Sequence, residues 1–228
     1  MNVRVQKLPR RPPIAEPVTK KRLPGRPRDA EKRDAIVNAA RASFFEHGFG
    51  ATTLEGVARH AAVSKVTVYK HFGTKEMLFA ECVAAECVTM RKLLDLDSIT
   101  AENLREQLVR YGEAMIAFLA RPELVRFENM LGAEVERNPV LGHIFLQSGP
   151  EPMLRALAAL LTRATEDGQM AINDPMLAAE LLAGMFKGFS DLRRRFLGRD
   201  HCDKQALERV RTAVNIFLDA YRTRDASC

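Results

Sequence analysis

The sequence predicts an all-α protein, and three observations support that reading. From Asp29 onward apolar residues recur at steps of three and four, as one face of a helix requires. The stretches so patterned are bounded by helix punctuation, with Asp, Ser or Thr ahead of several and Gly or Pro behind. No run alternates apolar and polar residues between turn residues, as a half-buried strand would.

Residues 1–28 come first, with six of the 11 prolines and no aromatic side chain. Proline fixes φ and removes backbone donors, and without apolar bulk nothing offsets the entropy of ordering. This segment reads as a disordered arm. Asp29 and Gly48 then bracket a helix near 30–47, striped by Ile36, Ala40 and Phe44 with Val37 and Phe45 beside them. Thr53 caps a short second helix that turns Leu54, Val57 and Ala61 inward, and Ser64 caps a third that ends at Phe72. Beyond Gly73 and Thr74 a long helix runs to about Leu94, its stripe being Phe79, Val83, Cys87, Met90 and Leu94. Further helices are predicted near 100–120, 123–136, 139–148 and 151–167, with Gly149-Pro150 interrupting the chain. Two last helices cover about 175–197 and 203–223. The chain thus divides into an arm (1–28), a three-helix head (29–74) and a larger helical body (75–228).

Charge is unevenly distributed. The whole chain carries 35 Lys plus Arg against 29 Asp plus Glu. The arm alone has nine basic side chains and one acid, a net +8, which leaves −2 for the remaining 200 residues. The head contributes only +1, so any polyanion attraction resides mainly in the arm. Cys82, Cys87, Cys202 and Cys228 are too few and too scattered for a disulfide framework in 228 residues. No uncharged apolar run approaches the ~20 residues that span a bilayer, and no apolar segment follows the basic N-terminus as in a signal peptide. These features predict a cytoplasmic protein with reduced thiols and no membrane partner. The sequence lacks H-E-x-x-H, G-x-x-x-x-G-K-S/T and G-x-S-x-G, and its cysteines lack zinc spacing, so no enzyme, metal site or cofactor is expected.

Residues 53–72 have the spacing of a helix-turn-helix. At ~100° per residue, Val68 and Phe72 of the third helix point into the head's core. Val66, Thr67 and Lys70 lie on the opposite side, flanked by Tyr69 and His71. Such a face suits a DNA groove. Lys65 and Lys70 can meet phosphates, Thr67 and Tyr69 can bond phosphate or base edges, and Val66 can touch a thymine methyl. The helix starts capped by Thr53 and Ser64 offer free N–H groups to phosphate oxygens.

The residues IVNAARASFFEHGFGATTLEGVARHAAVSKVTVYKHFGTKEMLF sharpen the reading. With them, residues 29–80 resemble the DNA-binding domain of the TetR family of bacterial transcriptional regulators. The resemblance implies DNA contacts by Thr53, Lys65, Val66, Thr67, Tyr69, His71 and Lys75, with Ser64 capping the recognition helix. Val66, where the family often has a small residue, and Glu55, where some relatives have a basic one, depart from the pattern. The implied function is a ligand-responsive, sequence-specific repressor of a double-stranded DNA operator. The alternative is a helical ligand-binding or interaction protein with a vestigial helix-turn-helix.

Three further expectations concern the rest of the chain. The G-R-P core before the first helix resembles an AT-hook peptide that would lay Arg26 and Arg28 into a minor groove. Leu207, Val210, Val214, Phe217 and Tyr221 form a 3-4-3-4 seam, and Leu181, Gly184 and Gly188 a close-packing surface. Together these predict a homodimer through the last two helices, matched to a pseudo-palindromic site. The resemblance also implies an effector pocket in the body, with Met90, Tyr111, Met115, Phe118, Phe127, Met130, Phe145, Met153, Phe186 and Phe189 as candidate walls. Their chemistry favours a small lipophilic or aromatic effector.

Overall fold

A computed structural model of the chain describes residues 26–91, 103–197 and 204–223, so most of the predicted arm lies outside the described residues. Among the described residues the chain forms eleven helices and no strand, with one antiparallel bridge pairing Met170 and Arg222. The head consists of α1 (Arg26–Ala51), α2 (Leu54–His60) and α3 (Lys65–Phe72), and α4 (Lys75–Arg91) leads out of it. The body adds α5 (Leu104–Leu119), α6 (Pro122–Val135), α7 (Pro139–Ser148), α8 (Pro150–Glu166), α9 (Pro175–Lys187), α10 (Ser190–Leu197) and α11 (Ala206–Ala220). Helices α6 to α9 each begin on a proline, whose missing N–H has no intrahelical partner to lose at a first turn.

Two predicted boundaries are corrected. The first helix starts at Arg26, so Arg26-Pro27-Arg28 is a helical turn and not the extended peptide a minor-groove hook needs. Proline's preset φ favours that turn. The side chains of Arg26 and Arg28 lie outside the described residues, as do residues 92–94 of the predicted long helix. At the other end of α1, Gly48 takes φ 80 and interrupts the helix where the C-cap was expected.

The second correction concerns the helix predicted over 175–197, which is two helices. Gly188 breaks it at φ 52, a conformation that disfavours any side chain. The gap is filled by Arg209 of α11, which donates to the Phe186 carbonyl at 2.9 Å and to Ser190 Oγ at 3.1 Å. A Cβ on Gly188 would come within 2.8 Å of the Arg209 side chain. Periodicity continues across the break, which is why the sequence reads as one helix.

Two apolar cores result. One joins α5, α8, α9 and α11 around Leu108, Leu157, Leu161, Leu182, Phe186 and Phe217. The other unites Ile36, Phe44, Val57, Val68, Phe72 and Phe79 of α1 to α4 with Leu124, Phe127, Leu131 and Leu141 of α6 and α7. Burying such side chains contributes about 1.5–3 kcal/mol each. The head's core therefore does not close at residue 75. Phe127 lies in face-to-face contact with Phe45 at 4.6 Å and approaches Phe79 at 5.9 Å.

Candidate nucleic-acid interface and inner cavity

Helices α2 and α3 owe their short, fixed lengths to their caps. Thr53 Oγ1 accepts from Gly56 N at 3.1 Å, and Ser64 Oγ accepts from Thr67 N at 3.1 Å. Val68 and Phe72 are buried beneath α3, so the predicted register is the observed one. On the outer side Val66 is 76% exposed and Tyr69 45%, and Lys70 is exposed beside them. The Thr67 hydroxyl is half-buried and shares a 2.8 Å hydrogen bond with Ser64.

Three of the predicted contacts are differently placed. Lys75 turns its ammonium back onto the α1–α2 turn, donating to Phe49 O at 2.7 Å and Thr52 O at 2.9 Å, with Gly50 O at 3.5 Å. Its charge also lies 4.2 Å from the centre of the Phe49 ring. Partial burial lowers its pKa, opposed by Glu76 and Glu134. Lys75 is thus a clamp on the fold, its donors committed inside the protein. His71 is half-buried with Nε2 3.3 Å from Asp29 at the start of α1. Lys65 remains at the surface, but ion-paired with Glu55. The hydrogen bond from Lys65 holds the Glu55 carboxyl below its usual range, and Glu55 in turn raises the Lys65 pKa.

Sequence reasoning missed the clasp on the other side of that turn. Gly50 N donates to Glu134, the two carboxylate oxygens lying at 3.0 Å each. Residues 84 positions apart meet here, and no local pattern announces such a pairing.

Below the head a cavity of about 510 Å³ opens between α1, α4 to α9 and α10. Of the candidate walls, Tyr111, Met115, Phe118, Phe127, Phe145 and Met153 line it. Three predicted walls are corrected. Met130 sits near Gly48, its sulfur 3.8 Å from where a Cβ there would be. Phe186 is fully buried in the body's own core, and Phe189 is exposed with Arg193 over its ring. Spacing puts all three on apolar faces but does not tell cavity from core or surface. The Met90 side chain lies outside the described residues. Walls not foreseen include Phe45, Val83, Leu119, Leu124 and Leu157.

The cavity also carries charge that the apolar reading did not anticipate. Glu86 lies in its wall with Arg41 at 3.0 Å and Arg121 at 2.6 Å, joining α1 to the α5–α6 junction. Glu128 bonds Arg195 at 3.1 Å, and burial raises its pKa against the opposing effect of that arginine. Glu180 and Lys187 also line it. The Tyr111 hydroxyl in the wall is pushed up to about 12 by burial and by Cys87 nearby, so it stays a proton donor. The cavity therefore combines aromatic walls with ion-paired ones.

The dimer seam needs a correction too. Val210, Val214 and Phe217 are buried in their own protomer, and Tyr221 is half-buried with its ring 4.8 Å from Phe217. The stripe wanted a helix, and α5 and α9 of the same chain supply it. What stays open is Leu177, Leu181 (50% exposed), Gly184, Gly188 and Leu207, together with Leu192 and Phe196, which the sequence does not single out.

A capped helix-turn-helix with an exposed recognition face, set on a helical body with its own cavity, defines a DNA-binding transcriptional regulator. Comparison with known proteins makes this specific. Residues 36–82 match the profile of bacterial regulatory proteins of the tetR family, and residues 106–223 match the C-terminal domain of AefR-like transcriptional repressors. A crystal structure from Mesorhizobium loti MAFF303099 is 30% identical with a TM-score of 0.71, over 86% of this chain and 99% of that one. The flavonoid-responsive regulator FrrA is 31% identical with a TM-score of 0.68, over the same shares. The transcriptional regulator SrpR of Pseudomonas putida is 26% identical over 69% of this chain and 71% of its own length. The protein belongs to the TetR family of bacterial transcriptional regulators.

Proposed function

We propose that the protein is a dimeric repressor that leaves a pseudo-palindromic operator when a small, lipophilic, hydroxylated aromatic molecule fills the cavity. The observation that carries this reading is the double role of Phe127. Its ring lines the cavity and is also part of the core on which α1 and α4 rest. A ligand that prefers a displaced Phe127 shifts the head and with it the spacing of two recognition helices.

The effector class follows from the cavity walls. Phe45, Phe118, Phe127 and Phe145 suit planar rings, and the Tyr111 hydroxyl offers a donor among them. Glu128, Arg195 and Lys187 suit neutral polar substituents better than a net charge, because opposite charges already stand together there. The relative FrrA is named for its response to flavonoids, which have this build. Dimerisation would cover Leu181, Gly184 and Leu207, and Thr53, Val66, Thr67, Tyr69 and Lys70 of each protomer would meet the operator. The protein would act in the cytoplasm, where its operator is.

Gel-shift titration of duplex from upstream of the gene tests this, with and without the flavonoid naringenin. The expected outcome is sequence-preferring binding by a dimer, released by the flavonoid. No preference over random duplex at any salt concentration would sink it. Naringenin binding without any duplex preference would mark a ligand-binding protein with a vestigial helix-turn-helix.

A further inference from the structure

The recognition face carries less available positive charge than its basic residues suggest. Lys75 is held by carbonyls, and His71 faces Asp29. Arg33 pairs with Glu81 and lies 5.4 Å from the centre of the Phe72 ring. Lys65 and Lys70 remain on the outward side of α3, and Lys65 is paired with Glu55. Glu55 is the second residue of α2 and Lys65 the first of α3, so the pair bridges the turn beside Thr53 and Val66. The Lys65 ammonium also lies 5.5 Å from the Tyr69 ring centre, and Glu55, Lys65 and Tyr69 form a chain across the face.

Nothing in the fold requires the pair. The two side chains are 56% and 52% exposed, and exposed ion pairs contribute little to stability. Its effect falls on whatever approaches. Phosphate oxygens arriving within a Debye length (about 8–10 Å) meet a carboxylate and a neutralised lysine. A base-edge amine in the major groove meets instead a good acceptor.

We propose that Glu55 is a specificity-determining residue: it keeps Lys65 from phosphates on non-cognate DNA and accepts a hydrogen bond from a base amine, such as cytosine N4, on the cognate site. On the cognate site the amine replaces Lys65 at the carboxylate, and the released ammonium turns to a neighbouring phosphate. On a random duplex no amine stands in the right place, and the cation stays masked. The inference rests on the DNA-binding reading above.

Glu55→Gln keeps the shape and one acceptor oxygen while removing the charge. Wild type and variant are compared by fluorescence anisotropy across a salt series, on random duplex and on duplex selected from a randomised pool by the wild-type protein. Random-duplex binding should tighten about threefold or more in the variant, with a salt slope steeper by about 0.9 per protomer engaged. Preference for the selected duplex should fall about threefold or more, because the variant gains on random duplex while its neutral amide oxygen accepts the base amine less strongly than a carboxylate does. In a Lys65→Ala background the substitution should no longer steepen the slope. An unmoved random-duplex affinity and slope, an intact preference, or an equal steepening without Lys65 would each overturn the inference. A wild type with no preference for any selected duplex would instead overturn the DNA-binding reading. Matching circular dichroism melts show that these surface variants remain folded.

Discussion

Replacing Glu134 with alanine cuts the link that α6 extends to the α1–α2 turn. The carboxylate accepts from Gly50 N at 3.0 Å and partly offsets the lowering of the Lys75 pKa by burial on the far side of the same turn. A hydrogen bond to a charged group contributes about 1.5–3 kcal/mol when well shielded. Glu134 is only half-buried, so solvent screening brings the value to or just below the bottom of that range, about 1–1.5 kcal/mol. For a chain of this size each kcal/mol moves Tm by about 2–4 °C, which gives a fall of about 2–6 °C. The functional expectation is more diagnostic. Glu134 is not a wall of the cavity, whereas Phe127, two turns earlier on α6, is. Effector affinity should therefore be kept while effector-driven loss of operator affinity shrinks, because the moving helix has lost one hold on the head. Calorimetric titration reads the first quantity and gel shift at saturating effector the second. An unchanged melt together with undiminished release would refute the reasoning, and Glu134→Gln, which keeps one acceptor oxygen, should fall between wild type and alanine.

Further expectations concern single side chains. Phe127→Ala empties a site at 2% exposure in the core that the head shares with α6 and should cost about 3–5 kcal/mol, lowering Tm by roughly 6–20 °C in a thermal melt. Glu128 has a carboxyl pKa raised by burial, so the folded state binds its proton more tightly than the unfolded chain does. Its contribution is fully present below the ordinary value of 4.5 and is lost as pH rises through the raised folded value. Glu128→Gln should flatten that decline in stability, measured by urea titration across the window; an equally steep decline in the variant assigns it to another group. The Cys82 thiol is 1% exposed, meets Val37 O at 3.6 Å and is pushed up to about 12, chiefly by burial. It should resist iodoacetamide at pH 8 until the protein is unfolded, as peptide mapping can show, and rapid labelling in the folded state would contradict the burial.

The sequence made the head legible because its signals are local. Thr53 and Ser64 announce caps that act three residues away, and Val68 and Phe72 declare the buried side of a helix only eight residues long. Lys65 and Lys75 look alike in that reading, yet one ends beside Glu55 and the other beneath the Phe49 and Thr52 carbonyls. The difference lies in partners remote in sequence or on another element. The body was less legible for a related reason. Phe118, Phe127 and Phe186 all read as apolar positions of helices, and only the packing of α5, α6 and α9 decides that the first two face a cavity and the third does not. Val210, Val214 and Phe217 likewise satisfy a helix–helix seam whether the second helix belongs to the same chain or to a copy. Gly188 was taken for part of a smooth surface, while its positive φ and the Arg209 side chain above it make it a joint.

The sharing of one core by α1 to α4 with Leu124, Phe127, Leu131 and Leu141 limits how such a protein can be recombined. A chimera cut at residue 75, with a foreign head grafted onto this body, would set those four side chains against surfaces they were never shaped to meet. A workable exchange would carry α6 and α7 along with the head, or redesign their inward residues. The seam for building sensors from this fold therefore runs through the body, beyond the end of α7 at Ser148, and not at Phe72 where the helix-turn-helix ends in sequence.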